Sequence, residues 1–190
     1  MKLHEKLENT EYDIEIVGMA EGGHVRIGRN HVVRAHRATH RVAARAYEFL
    51  ELRHHLKEEF EHAGGAELAR LRHEGVAVVD EVEEPMLFYT GDTDRGILEE
   101  NDRIFKAEVL MIECSFIADG HQDRAAKYRH IHLDDLIDFA GRFENQTIVL
   151  THFSRRYSRE TIRDTLRRRC PASLRERIRL ALPQPFTSLE

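Results

Sequence analysis

The sequence predicts an α/β fold in one domain over residues 1–190, with an antiparallel meander first and parallel βαβ units after it. Three observations carry this. Between residues 12 and 52, short alternating or β-rich segments are separated by glycine-containing turns. Between residues 85 and 182, short apolar runs alternate with helix-periodic segments, the pattern of strands covered on both faces. A chain of 190 residues that is 41% hydrophobic can bury one core.

In the first half, YDIEIV (12–17) alternates with Tyr12, Ile14 and Ile16 on one side. HVRIG (24–28), HVVRAHRATH (31–40) and RAYEFLEL (45–52) follow, divided by Gly22-Gly23 and Gly28-Arg29-Asn30. Residues 53–73 are rich in Glu, His, Arg and Ala and read as short exposed helices broken at Gly64-Gly65. In the second half, PMLFYTGDT (85–93), EVLMIECSF (108–116) and QTIVLTHFS (146–154) read as buried strands. Leu133, Leu136, Ile137 and Ala140 share one helical face at i, i+3, i+4 and i+7. Ser158 is placed to cap a helix carrying Ile162 and Leu166 and stopped by Pro171, and Ser173 with Glu176 reads as the capping box of a last helix.

Composition narrows the function. No run of about 18 apolar residues occurs, which argues against a membrane-spanning helix. The charged start MKLHEKLENTEYDIEI does not read as a signal peptide, so the expected compartment is the cytoplasm. Cys114 and Cys170 fit no metal spacing and read as reduced thiols. A net charge of -5 argues against a general, sequence-independent nucleic-acid binder, yet ten of residues 155–179 are arginine. That run is either a solvated helix face or a flank that meets phosphate.

Each of the three apolar runs ends on a chemistry-bearing side chain: Asp92, Glu113 and His152. In open parallel sheets, ligands gather beyond the carboxyl ends of the strands. Three neighbouring strands would set two carboxylates and an imidazole along one rim, a donor set suited to Zn²⁺ or Mn²⁺. Gly91 permits the sharp turn that points Asp92 across it.

Tyr89-Thr90-Gly91-Asp92-Thr93, Ile112-Glu113-Cys114-Ser115-Phe116, Arg129-His130-Ile131-His132 and Thr151-His152-Phe153-Ser154-Arg155-Arg156-Tyr157 together resemble ribonuclease Z, the tRNA 3′-processing branch of the metallo-β-lactamase fold. Upstream, Val33 to His40 followed by Arg45 to Phe49 resembles that family's strand, metal histidine and second strand. The resemblance spans residues 12–52 and 85–158. It implies a metallo-β-lactamase-like sandwich and a two-zinc hydrolase of RNA or another phosphodiester, with manganese as an alternative metal. It implies His40, Asp92 and His152 as metal ligands, Asp92 bridging. His130 would assist the leaving oxygen, with His132 as its rival. Glu113 would orient a ligating or catalytic histidine, and Ser154, Arg156 and Tyr157 would hold phosphate.

The chain departs from that family in two respects: the H-x-H-x-D-H motif, which supplies most of the first metal's ligands, is not in it, and the segment between Phe49 and Pro85 is short and lacks the Gly/Pro-rich arm with which many members grip tRNA, so a substrate other than tRNA stays open. The expectation is therefore the C-terminal portion of the fold, with one metal or none held by this chain alone. One sheet face is expected to lack its cover. Association with a copy of itself or with a separate N-terminal half follows. The alternative readings are a non-catalytic binding module, or a hydrolase of esters, lactones or thioesters, against which the clustered arginines count.

Overall fold

The computed structural model describes residues 16–182. The first strand begins later than the sequence suggests: residues 12–15 of the alternating YDIEIV segment lie outside the described residues, and Ile16 and Val17 are in no strand. Seven strands form one sheet in the order β1 to β7. They are β1 (His24–Ile27), β2 (His31–Ala38), β3 (Ala44–Leu56), β4 (Val79–Tyr89), β5 (Val109–Glu113), β6 (Thr147–Thr151) and β7 (Ile178–Leu180). The first four pair antiparallel and the last four parallel, so β4 belongs to both halves. The described helices are α1 (Gly65–His73), α2 (Gly96–Glu100), α3 (Gln122–Tyr128), α4 (Leu133–Asp138), α5 (Arg159–Arg169) and α6 (Ala172–Arg175). None is long and apolar enough to cross a membrane.

The expected meander and βαβ parts are both present, with local differences. β3 runs on to Leu56 and β4 begins at Val79, so the hairpin reaches well past the apolar run that marked it. Its extension, Arg53 to Leu56 against Val79 to Val82, is flanked by charge pairs rather than marked by apolar alternation, among them His55 with Glu84 and, just past β3, Lys57 with Asp80. Gly64 is the N-cap of α1, as the break at Gly64-Gly65 suggests. Ser158 caps α5 by accepting from the Thr161 N–H at 3.0 Å. Ser173 does not cap the last helix. Pro171 takes that position and Ser173 lies inside α6, because a proline ends α5 and its extended backbone leads directly into the next turn.

Alternation sorts the strands into two faces. Phe88, Leu110, Ile112, Ile148 and Leu150 are fully buried and pack with Ile97, Leu98, Leu133, Leu136, Ile162 and Leu166 from the helices. The same face carries a buried charge: Glu48, fully enclosed, accepts from Arg103 Nε at 2.8 Å and meets His36 Nε2 at 2.9 Å. Burial raises its pKa, but those two partners more than offset this and hold it low. On the opposite face, register lines up Tyr47, Tyr89, Met111 and Val149 in one row across four strands, beside Phe49 and Leu87. Tyr89 and Phe49 are exposed, and none of these six joins a core cluster among the described residues.

Phe88 is the largest fully buried side chain, at the junction of the two sheet halves. Phe88→Ala should lower unfolding free energy by about 3–5 kcal/mol. The check is a urea transition whose midpoint falls while its slope stays unchanged.

Candidate metal centre and phosphate pocket

β4, β5 and β6 are adjacent and parallel, so their carboxyl ends share one rim. Asp92 follows β4, Glu113 ends β5 and His152 follows β6. Gly91 has φ +61°, and a Cβ there would stand 3.3 Å from the Arg45 carbonyl, so both conformation and space call for glycine.

Glu113 is the centre of the arrangement. Its side chain is 1% exposed. Oε1 accepts from the Thr93 N–H at 2.8 Å and from His130 Nδ1 at 2.7 Å. Oε2 accepts from Ser115 Oγ at 2.7 Å and from the Ser115 N–H at 3.3 Å. Burial opposes its ionisation, but His130, His152, Ser115 and the Thr93 N–H together pull its pKa down to about 2. It is therefore a carboxylate, an acceptor only, with its four lone-pair directions taken.

That charge state sets the protons around it. The Ser115 hydroxyl gives its hydrogen to the carboxylate, so it accepts from His152 Nδ1–H at 2.8 Å. His130 Nδ1–H donates directly to Glu113. His40 Nδ1–H donates to the Arg129 carbonyl at 2.8 Å. All three imidazoles thus carry their hydrogen on Nδ1 and keep the Nε2 lone pair free, the arrangement that metal-ligating histidines adopt. The rings form a row: His130 lies 5.1 Å from His40 and 5.2 Å from His152, centroid to centroid.

Asp92 Oδ1 lies 3.6 Å from His152 Nε2. Two ligands of one tetrahedral zinc stand about 3.3 Å apart, so this pair is spaced as co-ligands are. Glu113 and Asp92, in that order of effect on the His152 ring, hold its pKa above the usual histidine value. Ligand atoms of Glu113, His130 and His152 also lie within 4.8 Å of one another. Glu113 is the weaker donor of that group, since binding a cation would break its existing hydrogen bonds. Of the expected ligands, Asp92 and His152 are within co-ligand distance of each other, while His40 stands beyond His130 in the row and shares no close group of ligand atoms with them among the described residues.

Two backbone features hold the row. Arg129 (φ 58°) and His152 (φ 56°) are the non-glycine residues in left-handed conformation among the described residues, and both are at this site. Such a conformation costs roughly 1–2 kcal/mol, and here it accompanies a helix end and a strand end. Arg129 also donates from Nε to Asp94 at 2.7 Å. Asp94 N–H in turn donates to the Thr39 carbonyl at 2.8 Å, tying the end of β2, and so His40, to the loop after β4.

Beside the row is a pocket lined by His130, His152, Ser154, Arg124, Arg155 and Arg156. Arg124 Nε is buried without a hydrogen-bond partner. Ser154 and Arg156 are on the turn after His152, with the Arg156 N–H 3.5 Å from Ser154 Oγ. Tyr157 is turned elsewhere: its hydroxyl meets His121 Nδ1 at 2.7 Å and accepts from the Ile117 N–H at 3.4 Å. His132 is also occupied elsewhere. It caps α4, accepting at Nδ1 from the Asp134 N–H, and its Nε2 donates to the Ala118 carbonyl at 3.0 Å. Its ring is 2% exposed, with no nitrogen free for catalysis. Sequence reasoning passed over Ser115 and Arg129. The signal for Ser115 was available, since a hydroxyl two residues after a buried carboxylate is placed to satisfy it.

No family model matches the chain. Among curated proteins, tRNase Z TRZ1 of Arabidopsis thaliana is 32% identical over 188 residues, 97% of this chain. The chloroplastic tRNase Z TRZ2 of the same plant is 26% identical over 169 residues. The chain spans 66% of the first relative's length and 48% of the second's. The chain is a ribonuclease Z-like protein of the metallo-β-lactamase fold. Two solved structures share that fold. Human tRNase Z short form (ELAC1) has TM-score 0.50 at 18% identity, with 95% of this chain and 60% of that chain covered. YhfI from Bacillus subtilis, a metallo-β-lactamase fold protein, has TM-score 0.53 at 14% identity, with 94% and 58% covered. The partial sandwich expected from the sequence agrees with this coverage, 60% and 58% of the two solved chains.

The Glu113 pKa predicts an acid response with a definite sign. A depressed carboxyl pKa adds stability that is present above about 4.5 and lost as pH falls toward about 2. Glu113→Gln should remove on the order of 3 kcal/mol of that acid-sensitive stability. Melting temperature followed from pH 5 downward should fall less steeply in the variant than in the parent, from a lower starting value.

Proposed function

We propose that this ribonuclease Z-like chain is a metal-dependent phosphodiesterase acting on RNA, of the tRNA 3′-processing type. The observation that carries the reading is the His152 Nε2 beside Asp92, next to His130 in a row of imidazoles that opens on an arginine-lined pocket. His40, Asp92 and His152 would hold the metal, zinc by kinship and manganese as the alternative. When bound, such a metal supplies a nucleophilic hydroxide and neutralises charge developing on phosphorus.

The chain's own residues supply the rest. Glu113 orients His130 and, through Ser115, His152. The Glu113–His130 pair is built for proton transfer: the free Nε2 first takes up a proton, the carboxylate stabilises the resulting imidazolium through Nδ1–H, and Nε2 then passes that proton to the leaving oxygen. Ser154, Arg156 and the unpartnered Arg124 meet the phosphate oxygens, where a guanidinium forms charge-assisted hydrogen bonds. Tyr157 supports this turn from behind, through His121.

A second reading has its own support. The chain lacks H-x-H-x-D-H, and the Tyr47–Tyr89–Met111–Val149 row is uncovered among the described residues. On that reading the fold is a binding module, or is completed by another copy or by a separate half that supplies the remaining ligands. Light scattering on the eluted protein separates these: association supports a covering partner, and a monodisperse monomer counts against one.

Elemental analysis with bis(p-nitrophenyl) phosphate hydrolysis tests the enzyme reading. Activity should require metal, disappear with a chelator and in Asp92→Ala, and fall about 10²–10⁴-fold in His130→Ala. A protein that takes up no zinc or manganese and stays inert with either would overturn it.

A further inference from the structure

We infer that the exposed arginine row of α5 is a track for the phosphate backbone of a nucleic acid, leading away from the pocket beside His152. This rests on the phosphodiesterase reading and extends it to how a polymeric substrate is held.

Arg159, Arg163 and Arg167 are spaced i, i+4, i+8, within about 80° of one another around the helix. All three are exposed, while Ile162, Thr165 and Leu166 bury the inner face. Arg159 and Arg163 make no ion pair among the described residues, and Arg167 has Asp164 at 3.7 Å. Repeated like charges at i, i+4 destabilise an isolated helix, so the row is tolerated at a cost and calls for an anion from outside.

The row is continuous with the site. Arg155 and Arg156 line the pocket, Ser158 caps the helix and Arg159 opens it. From Arg159 to Arg167 the helix rises about 12 Å. At about 3.4 Å per phosphate along one strand, that length faces three or four charges. The positive end of the helix dipole also points back toward the pocket. Of the ten arginines in residues 155–179, Arg155, Arg156, Arg159 and Arg163 make no ion pair among the described residues, so a protein of net charge -5 keeps unneutralised positive charge from the pocket onto α5.

The experiment is fluorescence anisotropy of the full chain with a labelled RNA stem-loop bearing a single-stranded 3′ extension, from about 50 to 200 mM salt. The triple variant R159Q/R163Q/R167Q should bind at least about tenfold more weakly, with the log–log salt slope reduced by about 2–3. R70Q/R72Q, which removes two arginine charges from exposed α1, should leave both unchanged. If the parent binds RNA and the triple variant matches it in affinity and slope, the track is wrong and the phosphodiesterase reading stands. If the parent hydrolyses bis(p-nitrophenyl) phosphate but binds no RNA, the polymer assignment fails alone. If poly-glutamate displaces the RNA from the parent as well as unlabelled RNA does, the row is an acidic-protein site and the inference is overturned.

Discussion

A carboxylate with no access to water organises this site. Glu113 must be fully hydrogen-bonded or it would be among the most costly groups in the fold. Its donors come from separate elements: Thr93 from the loop after β4, Ser115 from the loop after β5, and His130 from the segment after α3. His152, after β6, joins through Ser115. Satisfying one buried charge therefore draws several loops to a common point. Because Glu113 stays ionised, the same contacts decide which ring nitrogens carry hydrogen. Stability and chemical poise arise from one set of bonds.

The backbone strain has the same origin. His152 leaves β6 in a left-handed conformation, which a β-strand would not choose unaided. The Ser115 hydroxyl holds its ring, and Ser154 N–H donates to the Ser115 carbonyl at 3.1 Å just beyond. Arg129 is held in the same conformation by its carbonyl bond to His40 and its guanidinium bond to Asp94. Both residues are fixed by more contacts than their own geometry needs, which is how strain persists at a site.

Much of this was legible from residue order, for a physical reason. Apolar runs that end in Asp92, Glu113 and His152 mark strand ends, and parallel neighbours bring strand ends together. The tips of the β3–β4 hairpin were not legible, because charge pairs such as Arg53 with Glu84 stabilise them and leave no hydrophobic period. Spacing back from His152 favours His130 but leaves His132 as a rival. What separates them is a main-chain reversal at Arg129, after which His130 faces Glu113 and His132 begins α4. The Ser173 cap failed because the same motif competes with a proline already in place.

The charge pattern extends the logic of the rim to the whole molecule. β4 begins among Asp80, Glu81, Glu83 and Glu84 and ends beside Asp92. From Asp80 to Tyr89 an extended strand covers about 30 Å, well beyond a Debye length of about 8 Å at physiological salt. The acidic end therefore does not weaken the arginine flank at the other end. Its carboxylates are also paired with Lys57, Arg26, Arg34 and Arg53, so its field is largely spent locally. An overall negative charge is compatible with a phosphodiester substrate because field is local: Asp92 and Glu113 give the imidazole row the carboxylates a cation needs, and the pocket beside it is lined by Arg124, Arg155 and Arg156.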